Sequence, residues 1–106
     1  MKISGVAILY HPNVEEVLPN IRSYIDYIDA LYVFANSNCS KEIIENIKAI
    51  SPKISFIQNQ ENEGIAKPLN KAVNLSVNEF DWLLTMDQDS YFELDQASAY
   101  FNSFNH

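Results

Sequence analysis

Short apolar runs alternate with helical patterns four times along the chain, and this alternation limits the folds that are open to it. These runs are wholly or mostly apolar, as expected for strands that are covered on both faces. They occupy residues 6–10, 31–35, 54–57 and 81–86. Repeats of strand and helix form right-handed βαβ units. We therefore predict an α/β fold with three α/β/α layers and a mainly parallel four-stranded sheet.

The segments between these runs carry apolar residues at helical spacing. Asn13 and Ser40 precede two of them, and each is a residue type that caps a helix. Pro19 lies inside the first helical pattern, where it must kink the helix or mark a second start. With 106 residues, the chain is predicted to form one domain over residues 1–106.

Composition excludes several classes of function. Fourteen acidic residues against seven Lys and Arg give a net charge of −7, which argues against nucleic acid and anionic lipid as partners. The single cysteine, Cys39, can form neither an internal disulfide nor a cysteine-based zinc cluster. No stretch approaches the roughly 18 apolar residues of a membrane helix. A cytoplasmic location is therefore expected.

Polar clusters follow all four predicted strands, and they are expected to meet. They lie at residues 10–11, 35–37, 59–63 and 87–90. The carboxyl ends of parallel strands share one edge of a sheet, where ligands of such folds bind. Only two glycines are present, Gly5 and Gly64, so no glycine-rich phosphate loop can be assembled. A phosphate-bearing ligand would then need a divalent cation.

Asp87 and Asp89 are the best candidates to hold that cation. Two residues apart on an extended segment, their carboxylates would face the same side. Mg²⁺ or Mn²⁺ could be shared between them and a diphosphate. An EF-hand is excluded because Phe92 and Ser98 stand where glycine and glutamate are required. A loop cap without function, or a phosphatase-like or receiver-like acidic site, remains an alternative.

Three stretches together resemble family 2 glycosyltransferases of the GT-A fold. They are the apolar first strand ending near residues 10–12, the N-x-G-I-A-x-x-L-N run at residues 62–70, and L-T-x-D-Q-D-S at residues 84–90. The likeness covers about residues 6–90 and is greatest to bacterial rhamnosyltransferases of cell-surface polysaccharide synthesis.

The resemblance implies a donor site for a nucleoside-diphosphate sugar, with dTDP-rhamnose as one candidate, and a saccharide or glycolipid acceptor in the full enzyme. Asp89 would be the metal ligand, and Asp87 would contact the ribose or complete the metal shell. The donor-binding residues implied are Tyr10, His11, Asn36, Asn62, Gly64, Lys67, Asn70 and Asp87.

Two departures from the family pattern qualify this expectation. Ala35 stands where the family usually has an aspartate that contacts the base, and the family's acceptor region and acidic catalytic base lie well beyond the D-x-D. The chain, which stops at His106, is thus expected to be a donor-binding part without a catalytic residue, inactive alone. The full enzyme could attach peripherally to the inner membrane. The alternative is a non-catalytic nucleotide-binding or interaction module that retains the fold.

A further expectation concerns the end of the chain. A last helix capped by Asp95 would bear Phe101 and Phe104, which would lack their usual covering. Exposed apolar surface of this kind promotes association, so self-association is predicted.

Overall fold

The computed structural model of the chain describes residues 2–103, so the predictions for Phe104 and His106 lie outside the described part. Its elements are β1 (Ile3–Leu9), α1 (Val14–Arg22), a short 3-10 helix (Ile25–Tyr27), β2 (Ala30–Ala35), α2 (Lys41–Lys48), β3 (Ile54–Gln58), α3 (Ala66–Ser76), β4 (Trp82–Asp87) and α4 (Leu94–Asn102). Within residues 2–103, no helix combines the length and apolar character needed to cross a bilayer.

The four strands form one parallel sheet in the order β3-β2-β1-β4, which confirms the predicted fold class. The chain builds the sheet outward from β1 through β2 to β3, and then returns to place β4 on the other side of β1. The order of the strands therefore reverses between β1 and β4, and the carboxyl ends of these two strands mark a topological switch point. In open α/β sheets, this is the place where a crevice for ligands forms.

The two faces of the sheet are covered unequally. The larger apolar cluster joins one face of the sheet to α1, α2, α4 and the 3-10 helix, with Ile21, Ile47 and Phe101 among its members. The opposite face carries a smaller cluster in which Ala72 of α3 packs near Val6 and Phe34. Within the described residues, α3 is the only helix of this second cluster. Part of that face is left open for a cavity.

Both predicted caps of the first two helices are confirmed. Asn13 Oδ1 accepts a hydrogen bond from Glu15 N at 3.0 Å, and Ser40 Oγ accepts one from Ile43 N at 3.2 Å. Pro19 neither ends α1 nor starts a second helix. Proline cannot bond the carbonyl four residues earlier. That carbonyl belongs to exposed Glu15, where water can bind it instead.

Two expectations for the last helix are wrong. The residue at the cap position of α4 is Glu93, and Asp95 lies inside the first turn. Phe101 is buried, because its ring stacks on Tyr27 with centroids 5.1 Å apart and packs against Phe92 at 5.6 Å. Phe101 therefore gives no support to self-association. Other apolar side chains are exposed, on α4 at Leu94 and Tyr100 and on or just after α3 at Val73, Leu75 and Val77, so self-association stays a prediction.

Candidate functional site

A cavity of about 430 Å³ opens at the carboxyl ends of β1 and β4, on the α3 side of the sheet. It coincides with the topological switch point, as expected for a ligand crevice. Its lining combines apolar side chains with a few polar ones. The lining residues are Val6, Ile8, Tyr10, Asn36, Asn62, Gly64, Ile65, Leu69, Thr85, Met86 and Asp87.

Strand register places the side chains of the cavity floor. Val6 pairs with Thr85 and Ile8 with Asp87, so these four residues point to the same face of the sheet. The sequence analysis treated both strands as buried on both faces and missed Val6, Ile8 and Thr85 as site residues. The signal available in the sequence was the alternation of polar and apolar residues at Thr85, Met86 and Asp87, which the structure shows as exposed, buried and exposed.

The loop after β1 supplies an aromatic wall. Tyr10 lines the cavity and is about half exposed, at 53%. The His11 ring meets the Tyr10 ring edge-on, with centroids 4.3 Å apart, but His11 itself lies off the cavity wall. His11 has φ +45°, in the left-handed region that costs a non-glycine residue free energy. Its N–H donates to Ser37 Oγ at 2.7 Å, which fixes this turn.

Asn36 reaches the cavity, but its side chain serves mainly as a cross-link between loops. It is buried; Nδ2 donates to the Gly64 carbonyl at 2.8 Å, and Oδ1 accepts from Asn59 Nδ2 at 2.8 Å and Glu63 N at 3.2 Å. These bonds tie the end of β2 to the loop after β3. Ala35 is fully buried and leaves no carboxylate at that strand end to contact a ligand.

The loop of residues 59–65 is shaped by a tight turn. Asn62 Oδ1 accepts a hydrogen bond from Gly64 N at 2.9 Å, which forms an Asx turn. Gly64 has φ +72°, a conformation that glycine adopts at no steric cost. Both residues line the cavity.

Gly64→Ala is expected to destabilise the fold by about 1 kcal/mol, since a left-handed backbone costs about that much for a residue with a Cβ atom. A Cβ atom at Gly64 would meet nothing within 4 Å, so the backbone is the only source of this penalty. Gly64→Asn is the matched control, because asparagine tolerates this region better. Urea unfolding of the three proteins checks the prediction. Equal stability of Gly64→Ala and the wild type would contradict it.

Two residues of the same sequence motif point away from the cavity. Lys67 and Asn70 are exposed on α3 and are not among the residues that line the cavity wall. Lys67 Nζ lies 3.9 Å from Glu63 Oε2, and Lys71 Nζ lies 3.2 Å from Glu63 Oε1. Both lysine side chains are exposed to solvent, which screens these pairs and keeps their contribution to stability small. Lys67 and Asn70 thus lie outside the cavity wall, and their contact with a donor stays a prediction.

The acidic turn after β4 differs from the expected extended segment. Asp87 is the last residue of β4 and stands on the cavity wall. Ser90 N donates to the Asp87 carbonyl at 3.0 Å, and Asp87 N donates to Ser90 Oγ at 2.8 Å, so residues 87–90 form a closed turn. Asp89 lies in that turn, exposed and just off the wall. Asp87 and Asp89 are thus connected through a turn and do not alternate along one extended strand.

The donor set of this turn fits a divalent cation that is shared with a ligand. Within residues 2–103 there is no group of three or more His, Cys, Asp or Glu side chains that could hold a metal ion alone. Mg²⁺ takes one or two carboxylates and fills its remaining positions with phosphate oxygens and water. Asp87 and Asp89 match that requirement. A cation would then bind well only together with a phosphate-bearing ligand.

Within residues 2–103, the two groups whose pKa values are clearly raised lie outside the cavity lining. Burial raises the pKa of the Tyr24 phenol far above its ordinary value, and burial also raises the pKa of the Cys39 thiol. Both groups are neutral near pH 7, and a neutral thiol is a poor nucleophile. Neither residue supplies covalent chemistry to the site.

Solved structures with a similar fold include those of S. aureus TarS. TarS 1-349 in complex with UDP matches over 99% of this chain and 33% of that chain, with 21% identity and a TM-score of 0.69. The longer TarS structure matches over 99% of this chain and 20% of that chain, with 21% identity and a TM-score of 0.65. The chain thus spans a fifth to a third of the length of these proteins. None of the curated proteins shows a significant match in sequence.

The family comparison covers nearly the whole chain. The sequence model described as "Glycosyl transferase family 2" matches residues 11–105, which include the loop after β1 from His11 onward, the Asn36 cross-link and the acidic turn. The topology agrees with this match, since the same sheet and flanking helices occur in TarS. This chain belongs to glycosyl transferase family 2.

Proposed function

We propose that the chain binds the nucleoside diphosphate of a sugar donor, together with Mg²⁺ or Mn²⁺, as part of an inverting glycosyltransferase. The observation that carries this proposal is the cavity at the switch point, which has the carboxylate of Asp87 on its wall. Membership of glycosyl transferase family 2 and the UDP complex of the similar TarS structure support a nucleoside diphosphate as the ligand.

The residues of the cavity suggest how such a ligand would be bound. Tyr10 offers an aromatic face for a nucleobase, and Asn62 keeps its amide N–H groups free of the Asx turn, which uses only Oδ1. Asp87 and Asp89 would hold the cation against the diphosphate. When bound, the cation would offset the negative charge that develops on the leaving diphosphate. The net charge of −7 supports that role, since none of the described residues lining the cavity is a lysine or an arginine.

The acceptor and the sugar are narrower parts of the proposal. A saccharide or glycolipid hydroxyl would attack the anomeric carbon, with an acidic general base to take its proton. We assign no residue of this chain to that role. The likeness of the 62–70 and 84–90 motifs to rhamnosyltransferases supports dTDP-rhamnose as the donor. Because no residue of this chain is assigned as the general base, the chain alone is expected to bind a donor and to transfer little sugar.

Calorimetric titration of UDP and dTDP, with and without Mn²⁺, tests the proposal. We expect Mn²⁺ to tighten nucleotide binding by about tenfold or more, because two carboxylates and a diphosphate repel one another until a cation joins them. Inorganic phosphate with Mn²⁺ is the control for unspecific anion binding. Absence of binding for both nucleotides, with or without Mn²⁺, would favour a non-catalytic interaction module. Mn²⁺ binding without any nucleotide preference would favour a phosphatase-like or receiver-like site.

A further inference from the structure

Gln88, between the two aspartates, makes contacts that neither the motif nor the proposed function explains. Its side chain bonds the main chain of Tyr10 at both ends: Oε1 accepts from Tyr10 N at 3.0 Å, and Nε2 donates to the Tyr10 carbonyl at 3.4 Å. These residues are 78 positions apart in sequence. One side chain thus joins the loop after β1 to the turn after β4.

These bonds extend the β1–β4 pairing beyond the end of the strands. The backbone register of the pair ends with Ile8 opposite Asp87. A glutamine side chain carries the same donor and acceptor as a peptide group, so it can replace a strand residue in such pairing. Gln88 therefore holds Tyr10 at a fixed position relative to Asp87, the last paired residue.

The main chain of Gln88 is also fixed, by a hydrogen bond from helix α1. Its carbonyl accepts a hydrogen bond from Asn20 Nδ2 on α1 at 3.0 Å. The bonds between Asp87 and Ser90 close the turn around it. With side chain and main chain both fixed, the turn that carries Asp89 has little freedom relative to the loop that carries Tyr10.

We propose that Gln88 is a positioning residue that couples the nucleobase side of the site, at Tyr10, to the cation side, at Asp87 and Asp89. This inference rests on the proposed function. The physical reason is geometric: a nucleotide and a cation that share a diphosphate bind cooperatively only if their protein contacts stay at a fixed separation. Small displacements of such contacts are costly for binding and catalysis. Without the Gln88 side chain, the nucleobase side and the cation side each keep their own contacts with the ligand. The distance between Tyr10 and the two aspartates is then no longer fixed.

The test compares Gln88→Met with the wild type. Methionine keeps the length and apolar stem of glutamine and removes both hydrogen-bonding groups. Gln96→Met, at an exposed position on α4, is the matched control. Two quantities are measured: amide hydrogen exchange of Tyr10, and the ratio of UDP dissociation constants without and with Mn²⁺. That ratio is the coupling between cation and nucleotide.

In Gln88→Met we expect faster exchange of the Tyr10 amide and a coupling ratio reduced by about tenfold, as two lost hydrogen bonds of ordinary strength would produce. A purely structural role would weaken UDP binding equally with and without Mn²⁺ and leave the ratio unchanged. That result, or unchanged Tyr10 exchange, would overturn the inference alone. Absence of both UDP and dTDP binding by the wild type in either condition would overturn the proposed function and, with it, this inference.

Discussion

Asp89→Asn is expected to abolish most of the Mn²⁺ dependence of nucleotide binding while leaving binding without metal nearly unchanged. Asp89 is exposed in the turn and lies off the cavity wall, so its carboxylate can reach a cation without contacting the nucleotide directly. Replacing a residue that only supports a metal-ligating side chain typically lowers the affinity for the metal by 10- to 100-fold. Replacing a metal-ligating side chain itself is expected to lower that affinity by about 100-fold. Calorimetry with UDP, with and without Mn²⁺, gives both affinities.

Asp87→Asn should behave differently, because Asp87 is part of the cavity wall. Its replacement removes a repulsive charge from the nucleotide site as well as a metal ligand. Binding without metal should therefore tighten, whereas binding with Mn²⁺ should weaken. The two aspartates can thus be assigned separate roles from one set of titrations.

Glu79→Gln is the control for the loss of one negative charge. Glu79 is exposed and precedes the amino end of β4, at the opposite end of the strand from the cavity. It should bind UDP as the wild type does under both conditions. Retention of full Mn²⁺ dependence in both aspartate variants would show that the cation, if bound, is held elsewhere.

The fold could be predicted because few architectures accommodate four alternating strands and helices. The prediction failed for the apolar face of the last helix, because the spacing of apolar residues does not show which segment will cover them. Phe101 was expected at the surface, yet Phe92, in an irregular segment between β4 and α4, packs against it together with Tyr27. Helical periodicity carries no information on contacts made by irregular segments.

The site was predicted in outline for a related reason. Parallel strands must present their carboxyl ends at one edge, so Tyr10, Asn36 and Asp87 were certain to converge once the strands were located. Motif membership was a weaker guide on α3. Successive helical residues turn by about 100°, so with Leu69 facing the cavity, Lys67 and Asn70 project elsewhere. Residues of one motif are close along the chain, but whether each lines the cavity depends on the direction in which its side chain projects from the helix.

The roles of individual side chains were beyond the reach of the sequence. The resemblance placed Asn36 among donor-binding residues, whereas its amide oxygen already accepts two hydrogen bonds from the protein. Gln88 was not predicted as a site residue, because its uncharged amide suggests neither a metal ligand nor an acid–base group. Both roles depend on contacts between residues far apart in sequence, which only the assembled sheet reveals.

Asn36→Ala is expected to lower the free energy of unfolding by about 3 kcal/mol, from the loss of three hydrogen bonds and the stranding of a buried partner. The stranded partner is the Asn59 amide, which is only 5% exposed and donates to Asn36 Oδ1. Such a loss is a large fraction of the stability of a small domain. Because Glu63 N and the Gly64 carbonyl also lose their bonds, the loop of residues 59–65 should loosen and weaken nucleotide binding. Urea unfolding and UDP titration measure the two effects.

Asn36→Asp separates the hydrogen bonds from the shape of the side chain. It keeps an oxygen for Asn59 and Glu63 but sets an ionised oxygen against the Gly64 carbonyl, where Nδ2 now donates at 2.8 Å. A protonated carboxyl can donate there and an ionised one cannot, so this variant should gain stability relative to the wild type as the pH falls. Asn38→Ala, exposed two residues further along, should unfold as the wild type does. If Asn36→Ala unfolds at the same urea concentration as Asn38→Ala, the cross-link contributes nothing and another contact holds the loop.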